Sequence, residues 1–292
     1  MTKRGIVVGV LVAGLGLARV WAQDADLERI EKTFEISKGR ALDVILDVDA
    51  GEVTVEKGSD PDRAVLEVEY VAEKYDVDVD YNTEKNRLQI VVDRTHWMKF
   101  DKSKQEHRHD DAAVLTLLLP AGVDINADID VKAGQTTLSL GGLRLKELTL
   151  DSFAGEVEVR FDEPNAVVME ELDIHVRIGE TRLYQLGNAR FVRADINGGI
   201  GEMRVDFTGD LEPECRARVD LDIGAVTVIV PGSVATKINV GGGLGFLSHK
   251  EIDGALFKRG NAFYSDDYDQ QSGKKFFLKV TPGLGELDIR VD

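Results

Sequence analysis

The sequence has 292 residues, of which 43% are hydrophobic, 30% are charged and one is cysteine. This composition is that of a globular protein and excludes collagen-like, disulfide-scaffold and largely disordered chains. With 36 basic residues against 53 acidic ones, the formal net charge is −17. A charge of that sign opposes binding to nucleic acid or to an anionic membrane, so we expect neutral, basic or cationic partners.

Residues 1–22 have the pattern of a secretory signal peptide. Lys3 and Arg4 form a basic start, an apolar run covers 5–18, and small residues suited to cleavage lie within 20–22. A run of 14 residues is shorter than the roughly 20 that a spanning helix needs, which favours a cleaved signal over an uncleaved anchor. We therefore predict an exported protein, periplasmic or extracellular, with no integral membrane segment after cleavage.

The remaining chain divides into a short lead-in and one long domain. Residues 23–38 are predicted to form a short amphipathic helix, because Leu27, Ile30 and Phe34 recur at helical spacing. Residues 39–292 carry almost no helical pattern and alternate apolar with polar residues instead. We predict a single elongated all-β domain over that range.

A five-residue phrase that opens with glycine recurs seven times in this domain. From the second copy to the sixth, successive glycines are 21, 24, 22 and 23 residues apart. A near-constant period of this length is typical of stacked supersecondary units. The wider gaps of 83 and 61 residues, before the second and the seventh copies, indicate insertions or degenerate turns. The copies begin at Gly51, Gly134, Gly155, Gly179, Gly201, Gly224 and Gly285.

Each phrase alternates like a half-buried strand, as in Val157 and Val159 against Glu156 and Glu158. A second strand, such as 172–176, lies between phrases, so one period of about 22 residues is predicted to hold two strands and two turns. Such a unit is a coil of a β-solenoid. The opening glycine is expected either to adopt a positive φ or to permit close stacking of the coils.

The residue after the glycine is often glutamate. If the coils stack in register, these carboxylates form an acidic ladder along one edge. Like charges about 4.8 Å apart repel, so bound cations or the interleaved Arg182 and Arg204 would have to offset them. The ladder positions are Glu52, Glu156, Glu180, Glu202 and Glu286.

No set of residues indicates catalysis. Cys215 lies on the apolar side of an alternating segment, which favours a core residue over a nucleophile. His107 and His109 could bind a metal ion, or they could simply belong to a solvated, mobile loop at 101–111. No zinc-binding motif is present to favour the metal site. We predict no catalytic residue, no cofactor and no metal site.

Calcium is considered separately, because exported acidic proteins often bind this ion. Asp76, Asp78 and Asp80 would share one face of a strand with carboxylates about 6.6 Å apart, which is too wide for one ion without further ligands. The EF-hand glycine is also absent from this segment. A solvated acidic face is therefore the preferred interpretation.

The second half of the chain resembles a known group of bacterial envelope domains. The resemblance is carried mainly within 130–292, by 222–234, 242–247, 264–268 and 283–291. These stretches are similar to the C-terminal domain of cell-wall-active antibiotic response (LiaF-like) proteins and to the related adhesin or toast-rack domains. The resemblance implies a β-solenoid-like fold and no known catalytic residues. Some members of these families act in envelope-stress signalling.

Together these observations predict a non-enzymatic, exported interaction or scaffold module of the cell envelope, adhesin-like or linked to the stress response. Its partner would be an envelope protein or a cell-wall component. The alternative is a β-helix protein that binds or cleaves polysaccharide. A cluster of carboxylates and aromatic residues on one face would favour that alternative, whereas Trp97 is the only tryptophan after residue 22 and gives little surface for stacking on sugars.

Overall fold

The structure is a computed structural model that describes residues 27–95, 112–241, 247–266, 268–269 and 273–292. These residues form one sheet of 17 strands, with a single 3-10 turn at Leu186–Ala189. No helix among the described residues is long and apolar enough to cross a membrane. The strands are Leu27–Glu35 (β1), Leu42–Val48 (β2), Gly51–Lys57 (β3), Arg63–Val71 (β4), Tyr75–Asn82 (β5), Arg87–Arg94 (β6), Ala113–Leu119 (β7), Ile125–Ser139 (β8), Leu145–Arg160 (β9), Met169–Tyr184 (β10), Phe191–Asp206 (β11), Cys215–Val230 (β12), Ala235–Val240 (β13), Leu247–Ile252 (β14), Leu256–Arg259 (β15), Ala262–Ser265 (β16) and Lys275–Val291 (β17).

Six long parallel strands form the body of the sheet, in the order β8, β9, β10, β11, β12 and β17. Each has 15 to 17 residues. Their register places the phrase glycines opposite one another, so that Gly179 pairs with Gly155 on one side and with Gly201 on the other. The predicted stack of in-register β coils is thus confirmed.

Each coil contains one long bent strand, where the sequence predicted two strands separated by a turn. In β10, inward positions alternate up to Val176 and resume at Thr181, while the four residues 177–180 between them are not buried. Those four residues form the outer side of the bend, which we call the corner. The prediction of two turns per coil was wrong here because hydrogen bonding to the neighbouring coils continues through the corner.

The phrase glycines are required by both the bend and the stacking. In the six long strands their φ angles lie between 134° and 149°, a conformation that residues with a Cβ rarely adopt. A Cβ built on Gly179 would lie 1.8 Å from the carbonyl oxygen of Gly155, and one on Gly201 would lie 1.8 Å from that of Gly179. Both expected roles of the glycine, positive φ and close coil stacking, therefore occur together.

The hydrophobic core lies between the two arms of the bent strands, since inward residues of both arms belong to one buried cluster. Phe191, Phe207 and Phe276 pack there with ring centroids 5.0 to 6.4 Å apart. Cys215 is fully buried, as its alternation predicted, and burial raises the pKa of its thiol to about 12. The thiol therefore stays protonated at neutral pH, the opposite of what a nucleophilic cysteine requires.

The two long gaps between phrases hold strands that extend and cover the ends of the stack. At one end β2 and β3 together occupy the place of a coil beside β8, and β6 and β7 form a further coil outside them. Antiparallel strands β4 and β5 then pair with β7 and β6. At the other end β17 lies between β12 and the pair β13 and β14, and β16 and β15 extend from β13. These antiparallel strands cover the outer edges of β6, β7 and β13, which would otherwise template further pairing.

The predicted helix in the lead-in is absent, and this segment is strand β1, antiparallel to β4. Ile30 and Phe34 are four residues apart, which fits one face of a helix and one face of a strand equally well. Contacts to distant residues decide the outcome: Phe34 packs edge-on against Tyr81 with centroids 5.7 Å apart. The signal-peptide prediction for 1–22 and the loop prediction for 101–111 concern residues outside the described ranges.

Candidate interaction surface

Exposed apolar side chains are concentrated at the corner. Of the eight large hydrophobic residues that are exposed in the described part of the chain, five lie there on five adjacent coils, with 44 to 55% of their surface accessible. Isolated exposed apolar residues are common, but a continuous row is not. We call this row the corner ridge: Phe153, Ile178, Ile200, Ile223 and Leu284.

Strand register aligns four of the five ridge residues. Ile200 pairs with Ile178 on one side and with Ile223 on the other, and Ile223 pairs with Leu284. All four directly precede a phrase glycine, while Phe153 stands one position earlier in its strand. Because neighbouring parallel strands are about 4.8 Å apart, the ridge presents one apolar side chain at each such step. The sequence analysis did not predict this row. The feature that would have revealed it is the apolar residue that precedes each phrase glycine.

The predicted acidic ladder is also present in register beside the ridge. Glu180 pairs with Glu156 and Glu202 in the adjacent coils, and Glu286 continues the line beyond Ala225. We call these four glutamates the Glu ladder. Gln135 lies between Glu156 and the more distant Glu52.

Only one member of the Glu ladder is neutralised within the described residues. Glu180 forms an ion pair with Arg182, as the sequence suggested. Glu156, Glu202 and Glu286 have no basic partner within 4 Å in the described ranges, and Arg204 makes no ion pair there. The ladder therefore presents unpaired negative charge along one flank of the ridge.

A groove of about 500 Å³ opens at the end of the ridge, where β8, β9 and β10 meet. It exists because the ridge position is occupied there by Ala133 and Ala154, whereas the next coils carry isoleucine. Phe153, 55% exposed, stands beside these small residues. We call this feature the corner groove, lined by Asp130, Lys132, Ala133, Asp151, Ser152, Phe153, Ala154 and Arg177.

The charges of the corner groove are unevenly compensated. Lys132 is held by Asp49, with Nζ 2.6 Å from Oδ1, and lies 3.5 Å from Asp47. Burial, followed by the nearby carboxylates of Asp47 and Asp151, raises the pKa of Asp130. Asp151 and Arg177 have no hydrogen bond or ion pair from their side chains to other described residues. The groove thus offers an apolar floor, one aromatic ring and unpaired polar groups, which are features of ligand sites.

The structure does not group the described candidate metal ligands into a metal site. Asp76, Asp78 and Asp80 lie on β5, and no three acidic, histidine or cysteine side chains in the described ranges are grouped so as to hold a metal ion. His175 lies on β10 with Nδ1 3.4 Å from Nδ2 of Asn197. His107 and His109 lie outside the described residues.

Solved structures from several bacteria align with most of this chain at 11 to 12% sequence identity. A "putative cell adhesion protein" from Clostridium sporogenes aligns over 91% of this chain and 100% of its own, with a TM-score of 0.46 and 12% identity. A "putative adhesin" from Bacteroides fragilis aligns over 90% and 97%, with a TM-score of 0.31 and 11% identity. A third, from Parabacteroides distasonis, aligns over 91% and 98%, with a TM-score of 0.28 and 11% identity.

Sequence comparison identifies the family. No curated protein sequence matches this chain. The family described as "N-terminal domain of toast_rack, DUF2154" matches residues 23–170, just over half of the chain. The match covers β1 to β9, whereas the resemblance noted from sequence rested mainly on 130–292. The chain therefore belongs to the toast_rack N-terminal domain family.

Proposed function

We propose that this protein is an exported, non-enzymatic interaction module of the bacterial envelope, and that it binds an envelope component through the corner ridge and the Glu ladder. The observation that carries the proposal is the ridge itself, a row of exposed apolar side chains that is paired in register across β10, β11, β12 and β17 and is followed on β9 by Phe153, one position earlier in its strand. An envelope-associated role is supported by membership of the toast_rack N-terminal domain family together with the resemblance of 130–292 to adhesin or toast-rack domains of envelope proteins.

The position of the ridge supports binding rather than folding. Core packing is complete without it, since inward residues on both sides of each corner are already buried. Exposed apolar surface costs solvation free energy, and patches rimmed by polar groups are typical of interaction sites. A stacked-coil protein repeats the same surface position in every coil, which gives such a patch its length.

Export is proposed from the first 22 residues, with their basic start and apolar run. Cleavage after residue 22 would remove Lys3, Arg4 and Arg19 and no acidic residue, which takes the net charge from −17 to −20. A strongly acidic chain stays soluble and avoids anionic lipid, so we place its partner among envelope proteins or cell-wall components.

Substitutions in the ridge test this function. We expect the triple variant Ile178→Thr, Ile200→Thr and Ile223→Thr to lose about ten-fold or more in affinity for isolated envelope fractions, because three apolar contacts are removed at once. Threonine is also β-branched and suits an exposed strand, so the fold should persist. The measurement is co-sedimentation with envelope fractions, with circular dichroism and thermal melts as checks on folding.

The matched control is Val192→Thr, a change of the same kind at a residue that is 47% exposed on β11 but away from the corner. It should leave envelope binding unchanged. Equal binding by the wild type and by a folded triple variant would contradict the proposed surface.

A second candidate function, saccharide binding, is favoured by the corner groove alone. Phe153 offers a face for stacking on a sugar ring, and Asp130, Asp151 and Arg177 offer hydrogen bonds to hydroxyl groups. We expect a tetramer of N-acetylglucosamine to shift amide NMR signals of the groove in a saturable way, and Phe153→Ala to abolish those shifts. Phe257→Ala, on the distant strand β15, is the control. Unchanged spectra at millimolar sugar would rule this candidate out.

A further inference from the structure

We infer that the corner surface receives an amphipathic α-helix of a partner protein, with an apolar stripe on the corner ridge and basic side chains along the Glu ladder. The inference rests on the proposed function and names the chemistry of the partner. It is carried by three features of the described residues: the spacing of the ridge, the one-sided position of the ladder, and the lack of basic partners for most of its carboxylates.

The spacing of the ridge matches a helix better than an extended chain. Ile178, Ile200, Ile223 and Leu284 stand on successive coils, so three steps of about 4.8 Å separate the first from the last. A helix that lies along the ridge presents a side chain once per turn of about 5.4 Å and falls out of step by only about 2 Å over three turns. An extended strand presents same-face side chains about 6.6 to 6.8 Å apart and would be out of step by about 6 Å.

The charges of the surface define the flanks of that helix. All four residues of the Glu ladder lie on one side of the ridge. Glu180, Glu202 and Glu286 each come two positions after a ridge residue. On β9, Glu156 comes two positions after Ala154, which pairs with Ile178. A lysine or arginine once per turn, beside the apolar stripe, would meet one carboxylate after another. Opposite charges in register favour association and fix the direction in which the helix lies.

The same charges argue against other occupants. A second copy of this chain would bring its own acidic surface to the ridge, and its described residues contain no α-helix to supply. An anionic bilayer would be repelled by the ladder. A basic amphipathic helix satisfies both the apolar and the electrostatic requirements of the surface.

A synthetic probe tests the inference directly. The probe is an alanine-rich peptide of about 15 residues, blocked at both ends, with one leucine per turn and one lysine per turn beside it. The control peptide has the same sequence with glutamate in place of every lysine. We expect the lysine peptide to bind the protein at least about ten-fold more tightly, with an affinity that falls as salt rises. Binding is measured by isothermal titration calorimetry.

Two charge variants locate the site. The triple variant Glu156→Gln, Glu180→Gln and Glu202→Gln should weaken binding of the lysine peptide about five-fold or more and reduce its salt dependence. A control variant with the same change in charge alters exposed glutamates elsewhere and should bind like the wild type. The control substitutions are Glu73→Gln, Glu84→Gln and Glu147→Gln.

Each outcome bears on the inference. Equal binding of the two peptides, no binding of either, or equal weakening by the ladder and control variants would overturn it. If envelope binding depends on Ile178, Ile200 and Ile223 while the lysine peptide does not bind, the helix inference fails and the proposed function stands. If envelope binding is also independent of the ridge, both fail.

Discussion

Replacing Gly179 with alanine is expected to lower the free energy of unfolding by at least about 3 kcal/mol, among the largest effects of any single substitution in this chain. The φ angle of Gly179 is 141°, which alanine rarely adopts, and the new Cβ would meet the carbonyl oxygen of Gly155 at 1.8 Å. Relief requires β10 to move away from β9, which breaks hydrogen bonds between these two coils. Urea unfolding, followed by circular dichroism, measures the change.

Gly254→Ala is the matched control for this prediction. No heavy atom lies within 4 Å of a Cβ built on Gly254, and its φ is not positive. We expect a change in the free energy of unfolding of no more than about 0.5 kcal/mol. A Gly179→Ala protein with the unfolding midpoint of the wild type would show that the glycines do not set the coil spacing.

The second large effect is expected at Asn86, which is 1% exposed and has a φ of 50°. Its Nδ2 donates to the carbonyl oxygens of Ser37, Arg40 and Ala41 at 3.0 to 3.2 Å. Its Oδ1 accepts a hydrogen bond of 2.7 Å from the hydroxyl group of Tyr81. One amide side chain thus joins the turn before β2 to the connection between β5 and β6.

Asn86→Ala is expected to lower the free energy of unfolding by about 3 kcal/mol, because it leaves several buried polar groups unpaired and places alanine at a positive φ. Urea unfolding gives the size of the loss. Hydrogen exchange should also speed up first in the turn before β2 and in β5 and β6, which this side chain joins. Asn239→Ala, at an exposed position on β13, should have little effect. Unchanged exchange in the Asn86→Ala protein would contradict this role.

Much of the fold was predictable from local pattern. Alternation of apolar and charged residues identified the strands, and seven glycine phrases predicted the column in which Gly155, Gly179 and Gly201 now lie. The acidic ladder followed from that register. These features repeat in every coil, so a single sequence carries several independent copies of the same signal.

Features that depend on distant residues were not predictable in this way. Ile30 and Phe34 fit a helix and a strand equally, and only pairing with β4 makes them part of β1. The insertion of β17 between β12 and β13 depends on backbone pairing over a long stretch of sequence. No local periodicity encodes such an order.

The candidate site shows the same division. The Glu ladder could be found because glutamate follows the glycine in several copies. To predict the corner ridge, one must know that the residue before the glycine faces outward. Strict alternation does not indicate this, because the bend adds unburied positions to the strand. The corner groove depends on Ala133 and Ala154 standing where the adjacent coils have isoleucine, which becomes visible only after the coils are aligned.

Methyl NMR of the protein with labelled isoleucine tests most directly whether the corner surface binds an envelope component, as proposed. On addition of solubilised envelope protein, we expect signals of Ile178, Ile200 and Ile223 to shift or broaden, while those of the buried Ile174 and Ile196 on the same strands change little. Changes confined to other isoleucines, with the three corner signals unaffected, would contradict the proposed binding surface.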